Sequence, residues 1–306
     1  MHNLVDIDRV LIGDNPFNLV DHLSQDRVRS RTPLNSKDIA RIILCALESG
    51  ASGFTFSSTK RVRDALSEMQ NGDKCPGFGL YPIFPDANEL ARMASEGGLV
   101  RAATELLAGY SIVRKAGSAL GAGAALLRAD PEKLLKAYLS AELASLRRVA
   151  PTGTRVKAVF LHEILTELII SFRLDELFQT YTNFVRSQYD ALPGVVTRNF
   201  PSFVRFANEG AFGELAVLTP FNKMGFQMNP SRRECEESLS GANSLHIIAM
   251  SIMAGGHLSL SEAVDYLLRL PVKVSCAVGV STEGHAKETF SLLRALVSTS
   301  GGSSTG

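Results

Sequence analysis

The sequence predicts a (β/α)8 barrel, and three observations carry that reading. Eight short apolar runs recur along the 306 residues, helical segments fill the spaces between them, and no linker divides the chain. The runs are VLIG (10–13), GFTFS (53–57), FGLYPIF (78–84), VKAVFLH (156–162), GVVT (194–197), ELAVLT (214–219), SLHIIAM (244–250) and VKVSCAVG (272–279). Each is continuous rather than alternating, as expected of parallel strands covered on both faces.

The elements follow in order. The start, MHNLVDIDRVLIGDNPF, carries acids early and lacks a basic-then-apolar signal pattern. After the first strand, SKDIARIILCALESG places Ile39, Ile42, Ile43, Ala46 and Leu47 on one helical face, with Ser36 as the expected cap and Gly50 as the stop. Asp130-Pro131 opens the helix PEKLLKAYLSAELASLRRVA ahead of the fourth strand. LSEAVDYLLRL repeats the apolar stripe through Ala263, Leu267 and Leu268. One barrel domain over residues 1–297 is therefore expected, with a small polar tail, 298–306, expected to be disordered.

One connection is too long. The stretch from about 87 to 129 exceeds what a single crossover helix needs. Its Gly/Ala-rich centre suits a packing insert, a lid over the mouth or a partner surface.

Composition narrows the function classes. Hydrophobic residues make up 45% of the chain and charged ones 21%, enough apolar material for a large core. With 32 basic against 31 acidic residues, no field gathers nucleic acid or an anionic membrane. No run reaches the length of a membrane span. Cys45, Cys75, Cys235 and Cys276 form no CxxC pair and read as reduced thiols. A cytoplasmic protein acting on a small molecule is the expectation, with a homo-oligomer left open.

In such barrels the working residues gather at the C-terminal strand ends. Those ends offer Asp14 and Asn15, Thr55, Tyr81, His162 and Glu163, Arg198 and Asn199, Asn222 and Lys223, Ser251, and Gly279 with Ser281. His162 suits acid–base or electrostatic work, with Glu163 as an orienting partner or base. Asp14 can take or give a proton, or simply make an Asp-Asn-Pro turn. Arg198 suits a carboxylate or phosphate. Lys223 could form a Schiff base, as in a lyase or aldolase, although it lies in a loop past the sixth strand. Asp21-His22 could add metal ligands, but adjacent residues usually face different ways and no HxH or HxxxH supports them, so no metal is expected. The Gly-Val-Ser-Thr corner after the last strand opens a helix, where unpaired N–H groups favour an anion such as the phosphate of a cofactor or substrate.

The ordered pattern ALESGASGFTF, LSAELASLRRV with VKAVFLH, VTRNF, AMSIMAGGHLS and AVGVSTEGHAKETF resembles the aldo-keto reductases. Those are (β/α)8 barrels that move hydride between NADPH and a carbonyl. The resemblance implies His162 as the catalytic histidine, Asn199 on the nicotinamide carboxamide, Ser251 beside the pyrophosphate, and Gly279, Ser281 and His285 around the adenosine phosphate. It also places Thr55 where the family has aspartate, Lys60 where it has the catalytic tyrosine, and Tyr81 near its lysine. Lys60 could donate a proton, but the groups that tune the usual tyrosine have no replacements. The reading is an NADP(H)-dependent, reductase-like enzyme centred on His162, with Asn15, Thr55, Arg198, Asn222 and Lys223 toward the substrate. The alternatives are the Lys223 lyase and a non-catalytic ligand-binding barrel.

Overall fold

The apolar runs become strands because each is long enough to pair and too apolar to stay in water. The computed structural model describes residues 6–18, 34–70, 75–86 and 131–300. Its strands are β1 (Val10–Gly13), β2 (Gly53–Ser57), β3 (Gly79–Phe84), β4 (Arg155–Val156), β5 (Ala158–Leu161), β6 (Leu192–Val196), β7 (Leu215–Pro220), β8 (Leu245–Met250) and β9 (Ser275–Gly279). All pairings are parallel. β1 pairs with both β2 and β9, and β2 pairs with β3, so the sheet closes on itself. β4 and β5 share one place beside β3, where the sequence suggests one strand, and the closed barrel has eight staves. The break falls at Lys157, whose side chain turns to the barrel floor and meets Asp8 at 2.7 Å.

Alternation sorts the strand residues into two layers. Phe54 and Phe56 face outward, stacked with ring centroids 4.7 Å apart, and join the core beneath the helices. Leu11, Tyr81, Phe160, Leu218 and Ile248 face inward and fill the barrel. Large rings fit inside because glycines stand beside them. A Cβ on Gly194 would come within 2.7 Å of Phe160, and one on Gly53 within 2.6 Å of Tyr81.

The helices are α1 (Ser36–Glu48), α2 (Lys60–Gln70), α3 (Pro131–Val149), α4 (Glu163–Ser171), α5 (Asp175–Tyr189), α6 (Phe200–Gly210), α7 (Arg232–Glu237), α8 (Leu260–Leu268) and α9 (Glu283–Ser300). α1 is capped by Asn35, whose side chain accepts from the Asp38 N–H at 2.9 Å, one residue before the expected Ser36. α9 runs through Ser300, three residues into the stretch expected to be disordered from Ser298. The 87–129 insert and the 301–306 end lie outside the described residues. Cys75, Cys235 and Cys276 are buried, Cys45 is half-buried, and none of the four forms a disulfide. Among the described residues no helix is long and apolar enough to cross a membrane.

Candidate active site

The strand ends open into a cavity of about 660 Å³, a volume typical of small-molecule sites. Its base is the top of the barrel interior, with Ile83, Val196, Leu218, Met250 and Ala277. One side carries the ionisable groups Asp14, Asp86, His162, Glu163 and Arg198 with Asn15, Asn18, Thr55 and Ser57. The other is made of the corners Ser251–Gly256 and Gly279–Ser281, with His285 at the rim.

Asp14 is buried at the end of β1. Its carboxylate accepts the Ser57 N–H at 2.7 Å and the Asn18 amide at 2.6 Å. Burial nevertheless dominates those hydrogen bonds, and with Asp86 nearby it pushes the carboxyl from 3.8 up to about 7. Near neutral pH Asp14 therefore exists in both forms, which suits a group that gives and takes a proton.

His162 is the N-cap of α4, and its Nδ1 accepts the Ile164 N–H at 3.3 Å. Desolvation lowers its pKa, against the opposing pull of Asp86 and with a smaller contribution from Arg198. A helix N-terminus also disfavours imidazolium. The neutral ring thus carries its proton on Nε2, a donor available to a substrate oxygen.

Glu163 and Arg198 flank the histidine, with Arg198 Nε 3.3 Å from the Glu163 carboxylate. The contact is ionic without hydrogen-bond geometry, for that Nε finds no hydrogen-bond partner. Desolvation raises the Glu163 pKa despite the guanidinium.

Other expected site residues stand elsewhere. Tyr81 does not reach the mouth: its ring leans down over Gly53 and Gly79, and its hydroxyl donates to the Asp8 carboxylate at 2.8 Å. Lys60 opens α2 on the surface, paired with Asp64 at 2.6 Å. Its side chain is 85% exposed, as the start of a helix outside the barrel dictates. Asn199 caps α6 by accepting the Ser202 N–H and does not line the cavity. Asn222 is buried in its own turn, bonded to both the N–H and C=O of Phe226. Lys223 is exposed, 3.9 Å from Glu262, and also outside the cavity wall. Asp21 and His22 lie outside the described residues. Among the described residues no group of three His, Cys, Asp or Glu side chains could hold a metal.

The structure adds residues that sequence reasoning passed over. Asp86 lies two residues past the end of β3, so the strand-end rule could have found it. Asn18 and Gln227 carry no such signal; a turn after β1 and a loop after β7 bring them in.

A dinucleotide is the cofactor that the resemblance implies, and the residues fit only part of one. Ser251 and Ala254 hold left-handed backbone at φ 53 and 49 beside Gly255 and Gly256. Conformations of this kind can turn N–H groups toward an anion, but here the Ala254 and Gly256 N–H groups already donate to the Ser251 and Met253 carbonyls at 2.8 and 2.9 Å. The start of α9 adds more N–H groups, one of them already taken, since the Thr282 hydroxyl accepts from His285 N–H. The nicotinamide end lacks its expected amide, because Asn199 is committed to a cap.

No family model matches the chain, and no curated protein matches it. Solved structures do. A candidate aldo-keto reductase from Pseudomonas aeruginosa superposes with a TM-score of 0.60 at 13% identity, over 94% of this chain and 90% of that one. A candidate 2,5-diketo-D-gluconic acid reductase B gives 0.54 at 12% identity, over 98% and 88%. A Bombyx mori aldo-keto reductase in complex with NADP gives 0.53 at 10% identity, over 95% and 87%. The fold is that of the aldo-keto reductases.

Proposed function

We propose that the barrel mouth is the active site of an enzyme acting at the oxygen of a small carbonyl or alcohol. The observation that carries this reading is Asp14, a buried carboxyl held near 7 in the wall of the cavity that His162 also lines. In the carbonyl direction the Nε2–H of His162 polarises the substrate oxygen, and Asp14 delivers the proton as negative charge develops there. In the alcohol direction Asp14 takes the hydroxyl proton. Asp14 thereby replaces the tyrosine of the aldo-keto reductases, and Lys60 and Tyr81 have no part in the chemistry.

Reduction or oxidation with a nicotinamide nucleotide is the reaction class that the shared fold favours, and the NADP held by the Bombyx mori enzyme supports it. When bound, that group supplies or accepts hydride. Its phosphates would lie along Ser251–Gly256 and the start of α9. With the nicotinamide end unmatched, the chain's own residues account for the proton and for nothing beyond it.

Titration of the purified protein with NADPH and, separately, NADH, followed by nicotinamide fluorescence, tests the cofactor. Micromolar saturation weakened by Ser281→Asp supports a reductase. No binding at millimolar nucleotide removes the hydride step and leaves acid–base chemistry alone. The Schiff-base reading loses its support, since Lys223 is solvated and ion-paired outside the cavity.

A further inference from the structure

Arg198 stands out among the side chains of the cavity wall. It is the one lysine or arginine there among the described residues, and its side chain is 39% exposed. Of its three guanidinium nitrogens only Nε is closed off. The two terminal nitrogens are open and, like Nε, make no hydrogen bond among the described residues. Half-buried arginines elsewhere use their donors within the fold. Arg63 donates to Glu142 at 3.2 Å, and Arg186 donates to the Phe212 and Glu214 carbonyls at 2.8 and 2.6 Å. A guanidinium is a planar fork of N–H donors that matches a carboxylate, and here the fork stands unused in a cavity wall.

The backbone around it is fixed. The Arg198 C=O accepts the Asn229 N–H at 3.0 Å. The Thr197 hydroxyl donates to Glu167 at 2.8 Å and accepts the Asn199 N–H at 3.0 Å. The pairing of β5 with β6 sets Leu161 level with Val195, so His162 and Arg198 belong to neighbouring strand ends. Glu163, next in the chain to His162, approaches the guanidinium at Nε, 3.3 Å away, without a hydrogen bond. It balances the charge of Arg198 and leaves the terminal donors to another group.

We infer that Arg198 is a specificity-determining residue whose guanidinium binds a carboxylate of the substrate, beside the oxygen served by His162 and Asp14. The substrate class is then a 2-oxo acid, or the 2-hydroxy acid related to it, rather than a simple ketone or aldehyde. The apolar base, with Ile83, Val196, Leu218 and Met250, suits a hydrocarbon tail on that acid. A bound anion also favours the protonated form of Asp14, the form that delivers a proton in the carbonyl direction. The inference rests on the mouth being the active site.

The ligands 2-oxohexanoate and hexan-2-one differ by a carboxylate in place of a methyl group and serve as probes in ligand-observed NMR titrations of the full chain. The wild-type protein is expected to bind the acid about tenfold or more tightly than the ketone. Arg198→Met should erase that difference by weakening the acid alone. Glu163→Gln should do the opposite, tightening the acid with the ketone unchanged, because it removes the carboxylate that competes for the guanidinium. A gain in binding cannot come from a damaged fold. Equal effects on both probes, or no tightening in Glu163→Gln, overturn the role of Arg198 and leave the active-site reading standing. Failure of the wild-type protein to bind either probe overturns both.

Discussion

The two ends of the barrel give their aspartates different partners. At the floor, the Asp8 carboxylate meets Lys157 at 2.7 Å and the Tyr81 hydroxyl at 2.8 Å, and the Asp8 N–H donates to the same hydroxyl at 2.8 Å. Every group there serves another. At the mouth, Asp14 is held near 7, the His162 ring is neutral, and the Thr55 hydroxyl has no partner. Asp8 is half-buried and Asp14 buried, and desolvation raises both carboxyls, but only the floor supplies its aspartate with a cation at contact distance. Satisfied charges close a fold, whereas charges left in tension are available for chemistry.

The largest expected effect separates the ends directly. Asp14→Asn removes the proton donor and should lower kcat/KM by about 10²–10⁴-fold. Tyr81→Phe at the floor should leave kcat/KM within a few-fold, because the ring stays and only its hydroxyl goes. Its cost belongs to stability, about 1–3 kcal/mol for the hydrogen bonds lost around Asp8. Steady-state kinetics and chemical denaturation of the two variants check both halves. Matching kinetic losses would sink the distinction.

Stability against pH gives the next effect. The folded pKa of Asp14 lies above its unfolded value of 3.8, so between about 4 and 7 the folded state holds a proton that the unfolded state has released. The contribution of this group therefore falls as pH rises through that window and stays low above 7. At about 1.4 kcal/mol per pKa unit, the burden at pH 8 is on the order of 4 kcal/mol. Asp14→Asn should accordingly stabilise the protein at pH 8 and leave it nearly unchanged at pH 4, read by denaturant midpoints at both pH values. A variant that loses activity while gaining stability marks a group kept for chemistry.

This contrast was only half legible in the sequence. The strands were readable because continuous apolar runs have few other uses, and the strand-end rule picked out Asp14, Thr55 and His162. The direction of Tyr81 was not, because an inward side chain can lean either way and Gly53, Gly79 and Asp8 settle which. Asn199 carried a local signal that resemblance outweighed. Asparagine ahead of Phe200-Pro201 is an N-cap with proline in the first turn, and that is what it became. Lys60 was assigned by counting from the strand, while the chain had already turned outward into α2. The surroundings of Asp14 bring Asn18, Ser57 and Asp86 together from three strand ends, where burial and Asp86 outweigh the two hydrogen bonds, and no local pattern encodes that.

His162 gives the smallest effect and the finest cut, because it has two jobs. Its Nδ1 caps α4, a structural role, while its Nε2–H is assigned to the substrate oxygen. Asparagine is a good N-cap, so His162→Asn should preserve the helix and change stability by less than about 0.5 kcal/mol. It cannot place a donor where Nε2 stands, and kcat should fall by about 10–10²-fold with KM little changed, as expected when a bond made chiefly in the transition state is lost. His162→Ala should lose both activity and about 1 kcal/mol of cap stability. If asparagine restores activity along with the cap, the histidine belongs with the floor residues, and Asp14 works alone.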